Sequence, residues 1–263
     1  MYRTIVFIIF SANLFAFYSG NPSDPAIIQK GLFFCEGNPV SVQVGYLRDQ
    51  LYNQKQCSSS GTSFSTDNFS YISDQGTLDI NFLNRVSVFT KIGSAAFNVT
   101  LRPESTSMYS IITSNQLAYS IGFQGILSYW KGLTLGVNGG FFHANPHILY
   151  ITGNGVPLYQ PGDSVATNQS SLTYKQWQVA LAASYQVSIF YPYIGLKYLT
   201  SSSYFKNLPG NFYNTVNNLK TKNKRKFGIV LGTTFTNGQN FDLTVESRII
   251  DEQSLSIKGS IEF

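Results

Sequence analysis

Charge is scarce in this chain of 263 residues. Asp, Glu, Lys and Arg together make up 12% of it, about half the share usual for a soluble protein. A soluble β-sandwich with so few charges would be poorly solvated outside. Long apolar runs are missing as well: beyond the first seventeen residues none approaches the ~20 needed for a spanning helix. No stretch shows a helical period over a useful length. There are only two cysteines, Cys35 and Cys57, and two histidines, His143 and His147. The histidines flank Asn145-Pro146, and Pro146 prevents the helix that would make an i,i+4 metal pair of them. Neither has a ligand nearby in sequence, and Cys35 has no catalytic context. No catalytic residue, metal site or cofactor is expected.

What the chain does have is aromatics and alternation. Tyr (17) and Phe (21) bring the aromatic share to 15%. The last ten residues, Ser254 to Phe263, alternate without a slip. Leu255, Ile257, Gly259, Ile261 and Phe263 share one face, and Ser256, Lys258, Ser260 and Glu262 the other, because side chains alternate across a strand. Similar rows recur at Val40 to Leu51, on both sides of Leu83-Asn84-Arg85, at Leu117 to Tyr129 and at Leu133 to Phe141. Others follow at Trp177 to Val187, Ile194 to Tyr198, Phe227 to Phe235 and Phe241 to Ile249. Together they make about ten strands, with twelve as the upper count.

The N-terminus reads as an export signal. Arg3 precedes an apolar run from Ile5 to Phe17, and the small residues Ser19 and Gly20 follow, the order of a secretory signal peptide. The exit lacks a clean Ala-x-Ala, with cleavage expected between about Tyr18 and Gly20. This divides the chain into a signal (1–20), an N-terminal periplasmic segment (21–39) and a β-domain (40–263). Within that domain, short turns alternate with long polar segments after the first, third, fifth and seventh strands. That asymmetry predicts a transmembrane antiparallel up-and-down β-barrel with periplasmic turns and extracellular loops. An even strand number lets the first and last strands pair and removes the exposed edge.

Several segments resemble the chlamydial major outer membrane protein family of porins. Val40-Ser41-Val42-Gln43-Val44-Gly45-Tyr46-Leu47-Arg48-Asp49 is similar to that family's opening strand, and Gly20-Asn21-Pro22-Ser23-Asp24-Pro25 to its mature N-terminus. Leu78 to Phe89, Tyr191 to Lys197 and Leu243 to Glu252 resemble further family segments, but the long loops do not match. The resemblance implies an outer-membrane porin passing small hydrophilic solutes, set among lipid and lipopolysaccharide, assembled through its C-terminal strand with Phe263 as the signal to the barrel assembly machinery. It brings no nucleic-acid module and leaves a homo-oligomer open. Family members are longer and richer in cysteine. Here Cys35 and Cys57 are either one disulfide or two separate thiols. The shorter chain suggests fewer strands and a narrower lumen.

If the greasy rows face lipid, the other rows line the lumen. Asp79, Lys91, Lys197, Asp242, Glu246, Arg248, Lys258 and Glu262 then point inward, to set selectivity or to brace the barrel. Small inward residues such as Gly45, Gly93, Gly122, Gly136, Gly195, Gly228 and Gly232 either leave room for water or mark strand bends. Lys222, Lys224 and Lys226 share the lumen phase of the Phe227 strand and could form a positive collar at the mouth. Alternatively, they belong to a solvated loop that meets lipopolysaccharide phosphates or host polyanions. A barrel with a filled lumen, anchoring a surface-interaction protein, is the other functional expectation.

Overall fold

The computed structural model describes residues 18–27, 39–58, 65–104, 107–159, 170–209, 212 and 217–263. A short helix, α1 (Asp24–Ile27), precedes the strands. These are β1 (Val40–Asn53), β2 (Gln56–Ser58), β3 (Ser65–Phe82), β4 (Val86–Glu104), β5 (Ser107–Thr113), β6 (Gln116–Trp130), β7 (Leu133–Ala144) and β8 (Ile148–Gly153). Then follow β9 (Val156–Tyr159), β10 (Ser171–Tyr185), β11 (Phe190–Lys206), β12 (Leu219–Asn223), β13 (Phe227–Thr236), β14 (Phe241–Ile249) and β15 (Gln253–Glu262).

Ten of these strands close into an antiparallel barrel in the order β1, β15, β14, β13, β11, β10, β7, β6, β4, β3 and back to β1. The first and last strands pair along nearly their whole length, from Gln43 opposite Glu262 to Asn53 opposite Gln253, which leaves the barrel wall no free edge. Short turns join the strands at one end. At Leu83-Asn84 the backbone takes φ of 55° and 52°, and at Lys131-Gly132 of 45° and 86°. Paired positive φ values are the mark of the tight turn whose twist matches antiparallel strands.

The outer face is apolar. Val44, Ile80, Val88, Ile121, Leu181, Ile194, Leu196, Leu231 and Ile257 are all exposed on it. Their strand neighbours Gln43, Asp79, Ser87, Ser120, Lys197 and Ser256 are buried inside. This inversion of the soluble pattern is what a hydrocarbon solvent demands. Among the described residues no helix is long and apolar enough to cross a membrane.

Toward the loop end the polarity flips while the strand phase does not. Along β4, Ser87 and Lys91 point inward, then Phe97, Val99 and Leu101 do so in the same phase; along β3, Phe69 and Tyr71 are inward at the loop end and Ser73, Gln75 and Asp79 below. The change from polar-inside to apolar-inside marks where the wall leaves the membrane. Here the segments expected as long loops supply strands. β5 extends the wall from β4, β8 pairs with β5, and β12 lies between β11 and β2. Single pairs, His147 with Ser171 and Cys57 with Ser65, complete a smaller upper ring. Over the described parts of these stretches the expectation of polar loops is corrected: apolar residues such as Ile111, Ile151 and Leu219 form a core, facing the inside of the ring.

The filled lumen as candidate functional site

Alternation alone positions the lumen charges. All eight residues expected to point inward, Asp79, Lys91, Lys197, Asp242, Glu246, Arg248, Lys258 and Glu262, are buried inside the barrel. Most of them meet one another or a partner that the alternation rows did not select. Arg248 is the hub: its guanidinium lies 2.6 Å from Asp49, 2.7 Å from Glu252 and 3.2 Å from Glu246, and it donates to the Ser256 hydroxyl at 2.8 Å. Lys197 bonds Glu252 at 2.6 Å and Asp251 at 3.1 Å. Nearer the turns, Lys258 meets Asp79 at 2.7 Å. There the Ser260 hydroxyl donates to Asp242 at 2.6 Å, and Gln43 donates to Glu262 at 3.0 Å. The Lys91 ammonium sits 4.7 Å and 4.6 Å from the ring centres of Tyr18 and Phe89. These are charge pairs in a site shut off from bulk water, where removing one partner strands the other.

Asp49, Asp251 and Glu252 were not among the expected charges. Asp49 has the parity of Ser41 and Gln43 on β1, so continuing that alternation would have found it. Asp251 and Glu252 lie in a turn, where parity gives no direction. Both are buried, and the turn is tied down by Gln54, which donates to Glu252 at 3.3 Å, and by Arg225, which donates to the Ile250 carbonyl at 3.2 Å.

The lower lumen is occupied by the N-terminal segment. Asn21–Ile27, expected in a periplasmic segment, lie inside the barrel together with Tyr18 to Gly20, the end of the expected signal. The backbone amides of Ser19 and Gly20 donate to the two carboxylate oxygens of Glu246 at 3.0 and 2.9 Å. The Asn21 side chain donates to the Tyr191 carbonyl at 2.9 Å and to Thr234 at 3.0 Å. Gln124 donates to the Asn21 carbonyl, Asn81 to the Pro25 carbonyl at 2.7 Å, and the Ser23 and Ser184 hydroxyls bond each other. The segment is held by backbone and side-chain polar groups of the wall, while the Tyr18 hydroxyl and one Asp24 carboxylate oxygen are buried without a hydrogen-bond partner. Residues 28–38, and with them Cys35, lie outside the described residues; Cys57 is exposed on β2.

The inward glycines serve this filling. A methyl group on Gly122 would overlap the Phe89 ring, one on Gly232 the Tyr193 ring and one on Gly228 the Asp251 carboxylate, while at Gly136 it would come within 2.8 Å of Pro22. They are sockets for neighbouring groups. The void between Tyr18, Asp24, Lys91 and Lys258 measures about 20 Å³, enough for roughly one water. At the turn end a recess of about 580 Å³ opens below Ser23 and Ala26, lined by Asn84, Arg85, Ser128 and Gln186.

Above the ion pairs the lumen is aromatic on one side and polar on the other, where Gln56 accepts from the Ser203 and Thr221 hydroxyls at 2.8 and 2.5 Å. Phe69 and Tyr174 stack at 5.0 Å between ring centres, Phe97 lies 5.2 Å from Tyr174, and Tyr71 stacks on Phe142 at 5.6 Å. Tyr71 also donates its hydroxyl to Asp49 at 2.8 Å, joining the aromatic layer to the charged one.

The collar expectation is corrected. Lys222 projects outward from β12, whose inward residues are Leu219, Thr221 and Asn223, and Lys224 and Lys226 are exposed. The chain bends after Asn223, so the phase of β13 does not carry back across that bend. His143 lies on the outer face against Tyr119, 5.2 Å between ring centres, and His147 is exposed at the loop end. Among the described residues no cluster of His, Cys, Asp and Glu could hold a metal ion.

Comparison with known proteins fits this architecture. A family described as Chlamydia major outer membrane protein matches residues 154–208, which contain the β10–β11 hairpin. The major outer membrane porin, serovar D, of Chlamydia trachomatis is 22% identical over 377 aligned residues, 96% of each chain. The chain is a divergent relative of the chlamydial major outer membrane porins. The major outer membrane porin of Chlamydia psittaci is 21% identical, with 93% of this chain and 94% of the porin covered. Both alignments are longer than the 263 residues present here, so these relatives carry extra residues along their length. Among solved structures, the outer membrane protein OprG of Pseudomonas aeruginosa superposes with a TM-score of 0.41 at 9% identity, covering 90% of this chain and 99% of that one. Like the porins it resembles, this chain is an outer-membrane protein, with its apolar belt in the hydrocarbon.

Proposed function

We propose that this barrel is a porin through which small hydrophilic solutes or ions diffuse across the outer membrane, shut in the state described here. The observation that carries this reading is the similarity, over nearly the whole length of both chains, to proteins named major outer membrane porins. The polar lower lumen supports it: ions and water passing there would exchange their hydration for the Lys, Arg, Asp and Glu groups of the wall. Passage requires the Tyr18–Ile27 segment and the aromatic layer to give way. No reaction is assigned, and His143 and His147 are read as belt and loop residues. The C-terminal strand with Phe263 is read as the signal to the assembly machinery.

A second reading is favoured by one specific observation, the void of about 20 Å³ between Tyr18, Asp24, Lys91 and Lys258. On that reading the barrel is a closed anchor for a surface-interaction protein. Planar-bilayer recording of the refolded chain decides between them. Discrete conductance steps support the porin, whereas a folded barrel that stays silent at all applied voltages overturns it in favour of the anchor.

A further inference from the structure

The cations that do not enter the lumen form a surface of their own. Between Asp163 and Asp242 the sequence contains no Asp or Glu, while Lys175, Lys197, Lys206, Lys220, Lys222, Lys224, Arg225 and Lys226 all fall there. Only Lys197 among them is buried; the rest are exposed on the wall formed by β10, β11, β12 and the bend before β13. Lys55 joins them from the β1–β2 connection, its carbonyl accepting the Lys224 amide at 2.8 Å. The sequence that carries the others supplies no carboxylate between residues 164 and 241.

The placement of the cations relative to the apolar belt is ordered. Lowest come Leu196, 68% exposed, and Leu231. Above them three rings from adjacent strands form a ladder: Trp177 to Tyr198 at 5.3 Å, and Tyr198 to Phe227 at 5.1 Å. Phe227 is 72% exposed. The cations begin at that rung, with Lys226 6.0 Å from the Tyr198 ring centre, and rise along β12 to Lys220, whose register partner on β11 is Tyr204. From Tyr198 to Tyr204 is about 20 Å along the strand. Hydrocarbon-facing residues, then aromatics at the interface, then ammonium groups above it reproduce the layering of a lipid leaflet, with the cations at headgroup height.

We propose that this outward basic ladder binds the phosphates of an anionic glycolipid of the outer leaflet. Its acyl chains would lie on Leu196 and Leu231, its sugar on the Trp177–Tyr198–Phe227 rings and its phosphates on Lys222, Lys224 and Lys226. Lysine suits this role, because a compact ammonium on a flexible stem reaches a phosphate without fixed geometry. The inference rests on the outer-membrane setting and not on the lumen conducting, so it holds or fails separately from the porin reading.

The test uses the full refolded chain in detergent with purified diphosphorylated lipid A, read by native mass spectrometry. The wild-type barrel is expected to retain it, and the K222E/K224E/K226E triple variant to retain at least ten-fold less. Reversal of Arg85 and Lys131 at the turn end should leave retention unchanged. If the triple reversal does not fold, K222Q/K224Q/K226Q serves, with a smaller loss expected. Equal retention by wild type and a folded triple variant overturns the proposal. So does equal retention of dephosphorylated lipid A, which would assign binding to the acyl chains alone, and so does full displacement by millimolar inorganic phosphate, which would make the site one for the free anion.

Discussion

Arg248 on β14 and Asp49 on β1 meet on the inner face of the wall with 2.6 Å between Nη2 and Oδ1, and both are buried. The two strands flank β15 in the wall, and the Ser256 hydroxyl of β15 bonds both residues, so the contact bridges over one strand and does not follow the hydrogen-bond ladder. It fixes the lumen at the level where the charged lower half gives way to the aromatic upper half. At that level three carboxylates face one guanidinium that has no exposed surface, and one of them, Glu252, also meets Lys197.

Removing that guanidinium should therefore cost more than one ion pair. Arg248→Ala leaves Asp49, Glu246 and Glu252 facing one another, and breaking a buried pair in this way costs about 3–5 kcal/mol. The expected result is a clear drop in the denaturant midpoint of the barrel in lipid vesicles, read from the heat-dependent shift in gel mobility. A midpoint equal to that of the native chain would mean that water already reaches this level of the lumen. The double variant Arg248→Met with Asp49→Leu should recover part of the loss, since it removes charge from both sides.

A second prediction separates glycines that are sockets from glycines that are not. A methyl group at Gly93 would overlap the carbonyl oxygen of Asp74 in the paired strand, while at Gly76 the nearest atom would be 3.8 Å away. Gly93→Ala is expected to destabilise the barrel by about 1–3 kcal/mol through forced strand separation. Gly76→Ala is expected to fold as well as the native chain. Equal refolding yields and equal denaturant midpoints for the two would contradict the close packing of β3 against β4.

Alternation was enough to place Lys197, Arg248 and the other lumen charges, because a closed barrel keeps one phase for the length of each strand. Three features were not legible, each for a physical reason. Phe97, Val99 and Leu101 continue the inward phase of Lys91, but a search for greasy outward rows looks on the wrong face once the wall has left the membrane. Asn21 to Ile27 show no periodicity, since an irregular segment is held by individual hydrogen bonds and not by a repeating face. Lys222 was misplaced because a phase cannot be extended through the bend at Lys224.

The two layers filling the lumen give a third prediction. Deleting residues 18–27 empties only the lower, polar half and leaves Phe69, Phe97, Phe142 and Tyr174 closing the upper half. That deletion alone is expected to leave bilayer conductance at the native level. Combining it with Phe69→Ala, Phe97→Ala and Tyr174→Ala should produce steps at least several-fold larger. Full conductance from the deletion alone would show that the aromatic layer opens without help. Reversing Lys222, Lys224 and Lys226 should not move the reversal potential of either form, because their side chains lie outside the lumen.

The point where polarity changes sides can be tested with a single charge moved along the outer wall. Leu196 is 68% exposed on β11 within the apolar belt, whereas Asn98 is exposed on β4 at the level where Phe97 and Val99 turn the inside apolar. A lysine on the lipid face near the bilayer midplane costs about 2–4 kcal/mol, falling to about 0–1 near the interface. Leu196→Lys is therefore expected to lower stability by the larger amount in vesicles, and Asn98→Lys to leave it nearly unchanged. Repeating the measurement in vesicles of shorter acyl chains should shrink the penalty at Leu196 as the belt is thinned toward that residue. Equal penalties at the two positions would mean that the belt extends up to Asn98. The apolar core enclosed by β3, β4, β5 and β12 would then lie within the bilayer, and the change of polarity along β4 would need another cause.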